Sequence, residues 1–489
     1  MLVSVVLLGL RLFVGEAAGW RDTEALHAAL ALFRQASYLD HPGLIGWLSA
    51  LLAGADGVPD PVTAHRFTAA AATGIPWIGA LAARAAGASW RGALVTVLAL
   101  LLAPMFAVGL FGFTPHVPLA FAWIAALACA ALALRNPPSS VQAFAGTLGA
   151  GLFTGVAIMS EASGFTLAVA LVAAWLSRSA RPRLKTTAPY FAALVAAVAA
   201  LPFVLREAGL RWPMLYHSLG GMHASFGLLL RNLAALVGGQ LLFLSPFVLF
   251  VAALLAVDLG RTHRRDDISR LLFYATVIPF GVLGLSALFQ RDMEPQALAP
   301  AYLALAVQLA RRSDDLTPFI SRRLMTASLG TAAATIAFAA LAVMTPLLPK
   351  VMGRRYDAKY DATNDMFVWN RATDLLDTNL TQAEDLDLGP VVVVGPHWTV
   401  CAQLQAHFGS RARVGCMTAG GDDFDTFYPR SVWEDAKVIV YVTDDRFPMD
   451  ANSPLPNRAV QSVDRVTIRR GGVPIRTLRV MRLGRLGAA

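Results

Sequence analysis

Charge is scarce in this sequence. Only 15% of its 489 residues are Asp, Glu, Lys or Arg, while 56% are hydrophobic; soluble globular proteins carry about 25% charged residues. Most of the chain is therefore built for a lipid solvent. Its long Leu-, Ala- and Val-rich runs must be helices, because an open sheet cannot satisfy its backbone inside a bilayer. Cysteine is scarcer still. Cys129, Cys401 and Cys416 supply neither a zinc-type motif nor a disulfide framework. Cys129 falls in an apolar run and reads as packing. Cys401 and Cys416 share the C-terminal region, where they either pair in an oxidising compartment or sit as two buried thiols. Spaced glycines are missing too. Ala419-Gly420-Gly421-Asp422 offers one glycine pair, not the pattern that cradles a phosphate, so no nucleotide cofactor is expected. No basic stretch precedes the first apolar run, and no cleavable signal peptide is read there.

What charge there is has a pattern. From Lys350 onward there are 18 basic and 17 acidic residues, a near balance, so +8 of the net charge of +9 resides in the residues before it. A basic loop beside a membrane span marks the cytoplasmic side and argues against nucleic acid as a partner. At about 20 apolar residues per crossing, spans are predicted near 2–15, 64–86, 92–113, 117–134, 143–158, 162–177, 188–206, 229–256, 271–289, 297–310 and 324–346. An odd number of spans puts the termini on opposite sides. The Arg-rich loop set, including Arg178, Arg181, Arg183, Arg264, Arg265, Arg311 and Arg312, then places the N-terminus in the cytoplasm. The expected division is a transmembrane domain over 1–346 and an extramembrane domain over 347–489, with long outer loops at 16–63 and 207–228.

The outer loops hold the chemistry. In the first, Leu26, Ala29, Leu30 and Phe33 recur at helical spacing from Thr23 to Phe33, the pattern of an interfacial helix. Asp22 and Glu24 open it, and Tyr38-Leu39-Asp40-His41-Pro42 follows. Acids at a helix start equally serve to cap it. Loop 207–228 carries Glu207, Arg211, Trp212, Tyr216, His217 and His223. Loop 290–296 is short and dense, with Arg291, Asp292 and Glu294. Acids, Arg and His in three loops of one face suit an anionic lipid headgroup, with Arg on phosphate and a carboxylate for acid–base work. His116 and Glu161 lie at the edges of spans, where ionisable groups are either functional or interfacial.

These residues resemble the motifs of the C-type, polyprenyl-phosphate-sugar-dependent glycosyltransferases, in the branch of the protein mannosyltransferases and the lipid A aminoarabinose transferase. The first outer loop of that family reads an acidic pair, an amphipathic helix and an aromatic-acid-His-Pro-Pro segment. Here Gly43 replaces the second proline and Thr23 splits the acidic pair. Leu201-Pro202 with Arg211-Trp212, Gly239-Gln240 through Ser245-Pro246, and Glu294-Pro295-Gln296 through Tyr302 follow in the family's order. Two departures stand out: Thr114-Pro115-His116 replaces Thr-Pro-Asp, and Glu161 stands where many relatives carry Lys.

The resemblance implies an inverting transfer of a sugar from a polyprenyl-phosphate donor to a lipid, glycan or protein acceptor, at the outer face of a bacterial inner membrane. It assigns the base to Asp22 or Glu24. Donor contacts fall to Tyr38, Asp40, His41, His116, Arg211, Arg291 and Glu294, and Asp40 with His217 or His223 is the candidate for a divalent metal. The C-terminal region reads as a small α/β domain, with strands at 390–395, 413–416 and 437–443, a helix near 398–408, and a hairpin joining 463–469 to 474–482. Its expected role is to cover the active face or bind acceptor. A lipid or glycan flippase predicts internal repeats and mid-bilayer charges; no repeat is evident, and most of the candidate groups cluster in the outer loops. A non-catalytic scaffold leaves the charged outer loops unexplained.

Overall fold

The computed structural model describes residues 1–291, 293–316, 322–385, 391–447, 455 and 458–485. All eleven predicted spans contain helix. Among the described residues, six helices are long and apolar enough to cross a bilayer: His116–Arg135, Val141–Ser160, Ala188–Gly209, Phe226–Thr262, Asp267–Phe289 and the 326–344 part of Arg322–Met344. Leu2–Ala17 with Asp22–Ala29, bent by 83° between them, makes a seventh candidate. Trp90–Leu102 and Gly164–Trp175 are apolar but shorter.

By compactness the chain divides into two units, and the division does not follow a linear cut at 346/347. One comprises Met1–Arg11, Ala36–Leu44 and Phe67–Ala337; the other comprises Leu12–Gln35, Ile45–Arg66 and Phe338–Ala489. Most of the first outer loop thus belongs to the same unit as the C-terminal domain.

In the first unit, lipid offers no hydrophobic drive between helices, so small residues set the packing. A Cβ on Gly146 would stand 2.7 Å from the Cys129 carbonyl oxygen, and one on Gly151 would stand 2.2 Å from that of Ala192. These two positions let Val141–Ser160 lie directly against His116–Arg135 on one side and Ala188–Gly209 on the other. Helix starts are closed by hydroxyls and carboxylates: Ser89, Ser140, Ser225 and Asp266 each accept a backbone N–H of the first turn. The long Phe226–Thr262 helix is broken at Ser245, whose φ is 67°. The break precedes Pro246, which cannot supply a helical N–H. Arg11, buried on the first helix, donates to the Phe106 and Ala107 carbonyls and to Thr73. It thereby caps the four-residue Pro104–Ala107 helix, a cation at the negative end of a helix.

In the second unit, strands β1 (Val392–Gly395), β2 (Arg413–Cys416), β3 (Val438–Asp444), β4 (Arg458–Arg470) and β5 (Val473–Arg485) form one sheet in the order β2-β1-β3-β5-β4. The first three are parallel and the last two make an antiparallel hairpin. β1 and β3 are buried along their whole length, as strands covered on both faces must be. Gly471 and Gly472 turn the hairpin with φ of 58° and 84°, the left-handed pair that suits a two-residue loop.

The Asp22–Ala29 helix was predicted to run to Phe33 with an apolar face toward lipid. It ends earlier, and Ala25, Ala28, Ala29 and Leu30 are at most 1% exposed. Protein covers that face, because the Trp398–Phe408 helix packs against it. Arg470 donates to the Ala342, Val343 and Thr345 carbonyls, so the hairpin is fastened to the end of the last long helix.

Cys401 and Cys416 are joined in a disulfide that closes a loop with sequence separation 15. Loop-closure entropy gives such a bond about 3 kcal/mol. Cys401→Ser with Cys416→Ser is therefore expected to lower the unfolding temperature of the C-terminal domain by several degrees. Reduction of the wild type should reproduce the shift, and calorimetry with and without reductant checks it.

Candidate functional site

The predicted site residues fall into both units, and each set has its own chemistry. In the unit that holds the C-terminal domain, Asp22 begins the Asp22–Ala29 helix and is 8% exposed. Its Oδ1 accepts from Gln403 Nε2 at 3.0 Å, and its Oδ2 accepts from Arg446 at 2.6 Å. Arg446 also pairs with Asp444 at 2.8 Å and Asp365 at 3.5 Å, and Asp365 pairs with Arg476 at 2.9 Å. Three carboxylates thus share two guanidiniums in a largely buried cluster. The surplus negative charge has a physical consequence. Burial, then the charge of Asp22, pushes the Asp365 carboxyl up to about 7 against the pull of Arg446 and Arg476.

A raised carboxyl pKa means that the folded state holds a proton the unfolded chain has released. Stability therefore falls as pH rises from about 4 through 7. Asp365→Asn, which cannot ionise, is expected to flatten that slope relative to wild type. Thermal unfolding at half-unit steps from pH 4.5 to 8 checks it; parallel slopes in the two proteins would refute the assignment.

Glu24 is wholly enclosed. It accepts the Arg21 N–H at 3.0 Å and faces His65 Nε2 at 3.5 Å, both side chains being at most 1% exposed. Burial alone would raise its pKa, but the His65 hydrogen bond and charge and the Arg21 cap hold it below the usual carboxylate range. Trp20 meets His65 edge-on at 5.8 Å. Of the two acids proposed for the base, Asp22 retains the greater access.

In the other unit, residues 36–43 fold into a tight hairpin. Ser37 bridges Pro42, and the Tyr38 N–H donates to the His41 carbonyl at 2.8 Å. Gly43 N–H closes it onto the Ala36 carbonyl at 2.9 Å. A proline at 43 could not make that bond, which gives the departure from the family pattern a physical reason. The hairpin buries Tyr38 and leaves Asp40 about half exposed, 3.1 Å from His217. Burial lowers the pKa of His41 despite the Asp40, Glu161 and Glu294 carboxylates around it. His116 Nδ1 and Glu161 Oε2 are 2.8 Å apart, and both line a cavity with Phe106, Leu110, Gln296 and Leu303. The two departures from the family's pattern are therefore in direct contact.

Glu207, read as a loop residue, is 1% exposed at the end of the Ala188–Gly209 helix. It accepts from Ser37 Oγ and from the Met214 N–H at 3.2 Å, tying the first-loop hairpin to the second loop. Beside it, Arg211 and Trp212 both adopt positive φ, 63° and 61°. Two successive non-glycine residues in that region store strain of about 1–3 kcal/mol each, a cost that clusters at functional positions. Met222 bridges Gln290, and the Arg291 N–H donates to the Gly221 carbonyl at 3.1 Å, so the second and third outer loops also meet. Arg291 and Glu294 are exposed; Asp292 lies outside the described residues. Gln240 Nε2 donates to the Pro295 carbonyl at 2.8 Å, which joins two of the motifs that carried the resemblance.

Of the candidate metal ligands, the structure brings Asp40 and His217 together and leaves His223 apart from them, its Nδ1 3.2 Å from the Gly221 carbonyl. No three His, Cys, Asp or Glu side chains among the described residues converge as metal ligands.

Asp22's partners were not visible in the sequence. Gln403 and Arg446 are 381 and 424 residues away, and nothing in their spacing or type marks them. The His116–Glu161 contact had a signal, since both were intramembrane-edge ionisable groups, but their pairing did not.

No curated protein matches the chain in sequence. Residues 40–205 match the model of the dolichyl-phosphate-mannose-protein mannosyltransferases. The structure of ArnT from Cupriavidus metallidurans bound to undecaprenyl phosphate superposes with a TM-score of 0.63 at 16% identity, covering 98% of this chain and 97% of that one. Its apo form gives 0.62 over the same shares. The apo oligosaccharyltransferase of Archaeoglobus fulgidus gives 0.50 at 13% identity, covering 90% of this chain and 69% of that one. This chain is thus a multi-pass membrane protein that shares the fold of ArnT from Cupriavidus metallidurans, and its residues 40–205 match the model of the dolichyl-phosphate-mannose-protein mannosyltransferases.

Proposed function

We propose that this protein transfers a sugar, with inversion, from a polyprenyl-phosphate donor to a lipid, glycan or protein acceptor at the outer face of the bacterial inner membrane. The observation that carries the reading is the mannosyltransferase match over 40–205, which embraces the Asp40-His41 hairpin, His116 and Glu161. The undecaprenyl phosphate held by the similarly folded ArnT supports a lipid-phosphate donor. The Cys401–Cys416 disulfide supports an extracytoplasmic C-terminal domain.

Asp22 is the base. Gln403 and Arg446 each occupy one lone pair of its carboxylate, leaving others for an acceptor hydroxyl. As the acceptor oxygen attacks the anomeric carbon, the bond to the donor phosphate breaks and its electrons leave on that phosphate. Arg211 and Arg291 are the cations for the departing charge, and Tyr38, Asp40, His41, His116 and Glu294 contact the donor. Asp40–His217 holds the hairpin against the second loop. The test uses the purified full chain with undecaprenyl-phosphate-linked pentose and hexose donors. Release of undecaprenyl phosphate, with one sugar mass gained by envelope material and lost in a deletion strain, is the expected result. No turnover of any lipid-linked donor, with envelope glycans unchanged by the deletion, would overturn it.

A further inference from the structure

A second cavity lies within the unit that contains the C-terminal domain, and none of the assigned roles uses it. It is about 350 Å³, inside the ~300–1,000 Å³ range of small-molecule sites. Trp20 and Trp369, each 6% exposed, stand behind it. Asp56, Asn370, Thr373 and Gln403 bring a carboxylate, two amides and a hydroxyl to its walls. Asn370 and Thr373 side chains make no hydrogen bond among the described residues, and Asn370 is exposed. The mixture of indole surface with amide, hydroxyl and carboxylate groups matches a pyranose, which presents C–H faces and a ring of hydroxyls that donate and accept.

The wall is built in advance. Residues 54–60 turn through Gly57 at φ +79°, where a Cβ would stand 2.7 Å from Leu32. Gly54 N–H donates to the Val58 carbonyl at 2.9 Å, and Ser410 N–H takes the Asp56 carbonyl at 2.7 Å. The Asp56 backbone is thereby fixed while its side chain stays exposed at the rim. None of the lining residues comes from a strand, so the cavity offers no sheet edge for an extended peptide to join. Gln403 is the inner wall, and the same amide nitrogen donates to the Trp20 carbonyl at 3.1 Å and to Asp22 Oδ1 at 3.0 Å. One side chain therefore separates the cavity from the carboxylate proposed as base.

We infer that this cavity binds the acceptor, and that the acceptor is a carbohydrate. The inference rests on the proposed transfer for its link to Asp22, but binding is measured without donor. The full chain in nanodiscs is titrated with the oligosaccharide fraction released by mild acid from the envelope of the cells that make it, read by calorimetry. Wild type is expected to bind. Asn370→Ala and Thr373→Val are each expected to weaken binding about tenfold, the loss of a hydrogen bond to a ligand hydroxyl. In turnover the same variants should raise the acceptor KM by a similar factor with kcat within about twofold. Donor hydrolysis by water should not change, a readout that a merely structural role would move. Failure of all turnover with oligosaccharide binding intact would sink the transferase reading and leave the site standing. Intact turnover with unaltered acceptor KM in both variants overturns the site. So does competition at it by synthetic peptides but not by oligosaccharide.

Discussion

Asp22→Asn is expected to lower sugar transfer by about a hundred- to ten-thousandfold, the span that general base catalysis contributes, with the protein still folded and inserted. The variant keeps an oxygen for Gln403. It removes the negative charge from Arg446, but that guanidinium retains Asp444 at 2.8 Å and Asp365 at 3.5 Å. The cluster then holds two carboxylates against two guanidiniums, so charge balance improves and no buried cation is orphaned. Arg446→Ala works in the opposite direction: three carboxylates are left with Arg476 alone, and breaking a buried pair in this way costs about 3–5 kcal/mol. Glu24→Gln behaves differently again. Glu24 is 0% exposed and is held ionised by His65 and the Arg21 cap, so its loss should appear in the unfolding temperature before it appears in kcat. Single-turnover rates beside unfolding curves for the three variants separate these outcomes. A normal rate in Asp22→Asn would end its candidacy as the base.

Much of this fold was legible because membrane helices and buried parallel strands are written in continuous apolar runs. The apolar run predicted as a strand contains β1 at Val392–Gly395, and glycines at 471 and 472 turn the hairpin. The first loop was less transparent. Its helical periodicity was right, but periodicity does not say whether lipid or protein covers the apolar face, and Leu30 at 1% exposed shows that protein does. The candidate site divides in the same way. Local motifs announced Asp22, Asp40, His41 and His116. Their partners did not announce themselves, because hydrogen-bond choice is settled by the packing of elements hundreds of residues apart. Arg446 reads as one more arginine of a soluble domain, and Glu207 as a loop acid, until burial leaves each with specific obligations.

The second large effect concerns His116 and Glu161. Many members of the family that this chain resembles carry an acid at the first position and Lys at the second, so the pair here has its polarity reversed rather than lost. The 2.8 Å contact turns two separate departures into one compensated exchange. His116→Asp alone sets two carboxylates against each other, and Glu161→Lys alone sets an ammonium against imidazole. Two carboxylates about 4 Å apart repel by roughly 4 kcal/mol at an effective dielectric near 20, and an ammonium at 161 leaves the His116 imidazole neutral and without its carboxylate partner, so each single variant is expected to lose a hundredfold or more in kcat/KM. The double variant His116→Asp/Glu161→Lys restores opposite charges and should recover to within about tenfold of wild type, the non-additivity expected of residues in contact. Phe106, Leu110 and Leu303 on the cavity wall carry no charge that opposes the exchange. Additive losses in the double variant would mean that the two groups act separately, His116 on the donor and Glu161 on the break between Val141–Ser160 and Gly164–Trp175. Recovery would mean that the ion pair itself, in either direction, is what the donor site requires.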